Sequence, residues 1–222
     1  MRVPLWDLPV RTFHWLLAAL VVVSFTTGHL GGDWLAWHLR SGYTILTLLA
    51  FRIAWGFVGS ETARFTQFLR GPGAGMAYAR ETFAGRHPSV VGHNPLGGWM
   101  VLLLLAVVLA QAVTGLFTDD EISTKGPLAG TVSEAVVGRL GAFHHINQWV
   151  LVALVVLHVA AIFAYRRWLR ADLVGPMWHG MTEIPPGVSP PRQASLVRAL
   201  CVALVAAAFV YWLVVVYPGT TA

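Results

Sequence analysis

Nine histidines in a chain of 222 residues, 56% of them hydrophobic and only 11% charged, set the chemical question. An imidazole nitrogen can ligate a metal or carry a proton. Ionisable side chains near hydrocarbon are costly enough that they usually mark function. The informative spacing is His144 to His158. Fourteen residues of α-helix rise about 21 Å and stop about 40° short of four full turns, so both rings share one face at two depths. A helix presenting one axial ligand to each of two stacked metal centres needs this spacing. His145 stands thirteen residues before His158, about 140° away around an ideal helix. His144 is therefore the better placed of the adjacent pair, unless a π-bulge intervenes.

Each centre needs a second ligand at the same depth. His14 opens the first apolar segment at the level of His158, and His38 opens the second at the level of His144. His29 competes with His38 for the second level. His87, His93 and His179 fall between apolar segments and read as structural, with His93, in a His-Asn-Pro turn, also a weak quinone-site candidate. Cys201 is the single cysteine, which excludes a disulfide framework, a Cys-ligated zinc or iron–sulfur site and C-x-x-C-H attachment. Two haem b groups held without covalent bonds, each by two histidines, are the expected cofactors. Gly42 follows His38 by one turn, and Gly97 and Gly115 are aligned five turns apart, so Gly42 and Gly115 are expected to let a porphyrin approach the backbone. Arg52, fourteen residues after His38, is expected to pair with a propionate, as guanidinium does with carboxylate.

The elements that must hold these residues are apolar helices. Mean hydropathy is +0.65, and a span needs about 20 apolar residues. Five segments qualify: 13–28, 37–57, 97–117, 146–165 and 196–217. The first is short, so it is expected to begin or end in the interface, with Trp6 and Trp15 at headgroup level. The first apolar run lacks a small-residue cleavage site, so no cleavable signal peptide is expected. The fold class is therefore all-α, an integral membrane bundle. We expect a four-helix di-haem domain over 1–180, a Pro-rich linker over 181–195 and an additional span over 196–217. Residues 76–83 read as a short interfacial helix.

Twelve of the 15 Lys and Arg lie on the side of the N-terminus, leaving only Arg40, Lys125 and Arg139 opposite. By the positive-inside rule the N-terminus is cytoplasmic and the C-terminus, after an odd number of spans, outside. The net charge of +5 is then topogenic and not a nucleic-acid footprint. The opposite loop, 118–142, holds Asp119, Asp120, Glu121 and Glu134 and is a candidate docking face.

Several stretches carry a family resemblance: 6–15 (Trp-Asp-Leu-Pro-Val-Arg-Thr-Phe-His-Trp), 37–43 (Trp-His-Leu-Arg-Ser-Gly-Tyr) and 51–60 (Phe-Arg-Ile-Ala-Trp-Gly-Phe-Val-Gly-Ser). Ala63-Arg64-Phe65, 92–98 (Gly-His-Asn-Pro-Leu-Gly-Gly), His144-His145 and Leu157-His158-Val159 continue it. Over about residues 5–180 the chain resembles the bacterial di-haem cytochrome b561 family, especially cytochrome b subunits of membrane-bound nickel–iron hydrogenases. The resemblance implies two haem b groups with ligands falling on His14, His38, His144 and His158. It also implies electron exchange between membrane quinone and an outer-face redox protein, a cytochrome c or an oxidoreductase subunit. The chain would then be an electron-transfer subunit of a respiratory complex, embedded in lipid. The fifth helix departs from the four-helix pattern and is expected to meet a partner subunit. A stand-alone quinone-linked oxidoreductase of the superoxide oxidase type fits the same scaffold. An intramembrane metal transporter or metalloenzyme fits less well, since no His-Glu-x-x-His pattern and no intramembrane carboxylate appears.

Overall fold

A computed structural model describes residues 1–86, 90–119 and 124–221. The His87 reading and the Asp120 and Glu121 part of the acidic loop fall outside them. Five helices, of 23, 27, 21, 35 and 25 residues, are long and apolar enough to cross a membrane. Together they form a helical membrane bundle. Exposed faces such as Val156 (62%), Leu200 (60%) and Val205 (70%) are apolar, the surface a bilayer solvates and water does not.

Helix α1 runs from Leu8 to Leu30, a full span, so the expectation of a short first segment is overturned. The reason is local. Asp7 caps the helix, its Oδ1 accepting from Val10 N at 2.7 Å, and Pro9 sits in the first turn, where its missing N–H costs nothing. Trp6, beside that cap, is packed into the protein. It is only 8% exposed, and its ring centroid lies 4.5 Å from that of His93.

Gly31 and Gly32, at φ +65° and +54°, turn the chain sharply into α2 (Leu35–Val58). Both positions lie in the left-handed region that favours glycine. Helix α1 packs along α2, whose Leu49 and Trp55 are fully buried in the core. After α2 come a short helix α3 (Phe65–Phe68) and α4 (Pro72–Phe83), which lies against α5 (Pro95–Gly115). Met76 and Phe83 on α4 are exposed, as an interfacial helix requires.

Helix α5 is capped by Asn94, whose Oδ1 accepts from Gly97 N at 2.7 Å, and it pairs with α6 (Glu134–Trp168). At 35 residues α6 is about 52 Å long, well beyond the roughly 30 Å hydrocarbon core. The acidic loop, expected to reach residue 142, ends instead at Ser133, where Glu134 opens the helix.

Beyond α6, a short helix α7 (Val174–His179) leads into β2 (Met181–Glu183), which pairs antiparallel with β1 (Arg2–Pro4). The first residues of the expected linker are therefore a strand. The rest is fastened to the end of α2: Ala194 N donates to Ser60 Oγ at 2.8 Å, and Glu61 N to Arg192 O at 2.9 Å. Helix α8 (Leu196–Tyr211) then packs on α2 through Ala199 and Ala206, continuing through a π-helical turn (Trp212–Val216) into α9 (Tyr217–Thr221).

Candidate functional site

The spans bring four imidazoles into two facing pairs. His14 on α1 meets His158 on α6 with ring centroids 6.4 Å apart. His38 on α2 meets His144 on α6 at 6.2 Å. Helix α6 is unbroken α-helix between its two members, so the pairs are separated by about 21 Å along its axis.

The second pair is held by its surroundings. His38 Nδ1 lies 2.8 Å from the Ser24 carbonyl oxygen, and His144 Nδ1 lies 2.9 Å from that of Gln111. The Ser24 and Thr114 hydroxyls stand 3.3 Å from the same two nitrogens. A carbonyl oxygen only accepts, so Nδ1 carries the proton in each ring and Nε2 keeps its lone pair. Glycines make room for both rings. A Cβ at Gly28 would stand 2.8 Å from His38 Nδ1, and one at Gly115 would stand 2.9 Å from His144 Cε1. Gly115 thus lies directly against the His144 ring. A Cβ at Gly42 would meet nothing within 4 Å, and Gly97 serves the α5 cap.

The remaining described histidines lie elsewhere. His29 turns its Nδ1 to the Phe25 carbonyl at 2.8 Å and packs against Phe25 and Trp149. His145 is exposed, its centroid 6.2 Å from that of His144. His179 Nδ1 accepts from Met181 N at 3.1 Å.

Toward the end of the bundle that holds the N-terminus lies a polar cluster within the core. Arg52 is 3% exposed, its Nη1 has no hydrogen-bond partner, and its Cζ stands 5.2 Å from the centroid of the Phe65 ring. Asp7 accepts from Trp55 Nε1 at 2.9 Å. His93 stands against the Trp6 and Phe68 rings with its Nδ1 shielded and unpartnered. Burial, with the Arg52 charge acting the same way, pushes the His93 imidazole down to about 3. It is neutral at ordinary pH.

Sequence reasoning missed the groups that orient the second pair. Gln111 donates through Nε2 to the His144 carbonyl at 3.1 Å, and its Oε1 accepts from Asn147 Nδ2 at 2.8 Å. A lone glutamine in an otherwise apolar span and an asparagine one turn past a candidate ligand were the available signals.

These residues fit a bis-imidazole metal centre. Two metal–nitrogen bonds of about 2 Å, plus about 1.2 Å from each nitrogen to its ring centre, separate the centroids by about 6.4 Å. Both observed gaps match. Arg52 Nη1, buried and unpartnered, suits a carboxylate of the kind a porphyrin carries.

Such a bundle, with pairs of facing histidines at two depths, belongs to the class of helical membrane redox carriers. Residues 5–180 match the family model of prokaryotic cytochrome b561, and the chain belongs to that family. Similar proteins include the probable Ni/Fe-hydrogenase B-type cytochrome subunit of Rhizobium leguminosarum bv. viciae, 26% identical over 79% of this chain and 86% of that protein. The proteins of the same name in Azotobacter chroococcum mcd 1 (26%, 69% and 77%) and Cupriavidus necator (25%, 77% and 80%) are also similar. No solved structure matches the chain significantly. The protein is a multi-pass membrane b-type cytochrome with haem b as its cofactor and electron transfer as its role.

Proposed function

We propose that the chain holds two haem b groups, one between His14 and His158 and one between His38 and His144. It passes electrons across the bacterial inner membrane between quinone and a redox enzyme on the periplasmic face. The observation that carries this reading is the pair of centroid gaps, 6.4 and 6.2 Å, each the width of one six-coordinate iron. When bound, the haem irons supply reversible one-electron chemistry, and two histidines apiece leave no open position for small molecules. The Ser24 and Gln111 carbonyls fix His38 and His144 with Nε2 left free for the metal. Arg52 neutralises a propionate. His93, neutral and with a free Nδ1, is suited to hydrogen-bond a quinone oxygen.

The distribution of Lys and Arg supports a cytoplasmic N-terminus, which puts His14 and His158 on the inner side and His38 and His144 on the outer. The names of the relatives support a hydrogenase-type enzyme as partner, with this chain as its membrane subunit. The test is a reduced-minus-oxidised spectrum of the purified protein with haem counted per chain. Two low-spin haems are expected, and one or none overturns the reading. Purifying the native complex tests the partner. His93→Ala should lower quinone-linked turnover with the spectrum intact, and unchanged turnover removes His93 from the quinone site.

A further inference from the structure

Two cavities lie side by side at the start of α1. The first, about 230 Å³, is a cleft of mixed polarity among the start of α1, the corner between α7 and β2, and the residues entering α8. Arg11, His179 and Gln193 contribute its polar side chains together with Asp7. The second, about 320 Å³, is an apolar groove between α1, α2 and α8, walled by Phe13, Leu48, Phe51, Leu200 and Ala203. Leu8, Pro9 and Leu196 line both, so the cleft and the groove adjoin.

We propose that this composite site binds one anionic phospholipid, with its phosphate in the cleft at Arg11 and one acyl chain in the groove. Arg11 Nη1 donates to the Trp178 carbonyl at 2.7 Å, while its Nε is shielded from solvent and has no partner. A buried donor without an acceptor costs more than the average hydrogen bond yields, and a phosphate oxygen supplies one. The Asp7 carboxylate does not compete for Arg11 by contact, since its oxygens accept from Val10 N and Trp55 Nε1. Gly180, at φ +84°, leaves the room that Arg11 occupies: a Cβ there would stand 3.0 Å from Nε. The level is also right. Trp15 and Trp178 are exposed beside Arg11 and pack edge to face at 5.4 Å, as interfacial tryptophans do. Arg2, Arg192 and Arg198 add positive charge to the same end of the bundle, which favours an anionic headgroup over a zwitterionic one. The lipid would fill the seam between α8 and the helices carrying the histidines. The site stands on the fold and is independent of which histidines hold iron.

Native mass spectrometry of the full haem-loaded chain, released from nanodiscs of mixed phosphatidylglycerol and phosphatidylcholine, tests this. One phosphatidylglycerol per chain should be retained in preference to phosphatidylcholine. Arg11→Gln and, separately, Gln193→Glu should each lower that preference about tenfold. Ala203→Phe should fill the groove and abolish retention, with gel filtration and haem content unchanged. Equal retention of both lipids, or no response to any of the three variants, overturns the proposal. So does a quinone as the retained species, or sn-glycerol 3-phosphate binding as tightly as the lipid.

Discussion

The two histidine pairs have nearly the same gap and different support. His38 and His144 each have Nδ1 on a backbone carbonyl, a hydroxyl at 3.3 Å and a glycine beneath the ring. His14 has its Nδ1 buried with no partner at all. A bonded Nδ1–H makes the imidazole a stronger electron donor to a metal and fixes its orientation. Equal spacing therefore need not mean equal centres. The better-donated site should stabilise the oxidised iron more and sit at the lower potential.

Removing a proposed ligand is the largest break. His144→Ala and His158→Ala should each lose one of the two haems, read as half the haem per chain. Loss on His145→Ala in place of His144→Ala would show that the adjacent ring is the ligand. Gly115→Val comes next, because a side chain at 115 must displace the His144 ring. It should lose or perturb the His38–His144 haem and spare the other.

A redox titration sharpens the contrast without breaking it. The one haem left in His158→Ala should titrate at the lower of the two wild-type midpoints, and the higher midpoint there would reverse the argument from Nδ1. Gln111→Ala should keep both haems but destabilise the fold by about 1–2 kcal/mol, since it leaves the Asn147 amide with an acceptor missing. Chemical unfolding in detergent reads that loss.

A pH-dependent effect is expected from His93. Its folded value, about 3, lies below the ordinary 6.5, so as pH falls the unfolded chain binds the proton first. Its contribution is present above about 6.5 and is lost as pH falls toward about 3. His93→Gln should flatten that part of the stability profile, measured by thermal unfolding in detergent. Smallest of all, Arg86→Ala removes an exposed ion pair with Glu81 and should leave the melting temperature unchanged.

Much of this was written along the chain. Hydropathy marks five spans because lipid accepts only backbone satisfied within its own segment. The His144–His158 spacing gives two depths on one face because helical rise and twist are fixed. Those are local quantities, and a sequence carries them in full. The first span was underestimated because residues 8–12 include a charge and a proline that hydropathy penalises, while capping at Asp7 favours a helix start there.

Tertiary structure decided the rest. Which histidine faces which depends on how helices sit beside one another in the bilayer, set by side-chain packing that hydropathy does not encode. So His38 meets His144 while His29 turns back on Phe25, and Trp6 packs against His93. The acceptors that orient His38 and His144 are backbone carbonyls of Ser24 and Gln111. Every residue has a carbonyl, so no residue type announces one, and only the folded bundle brings it to a histidine.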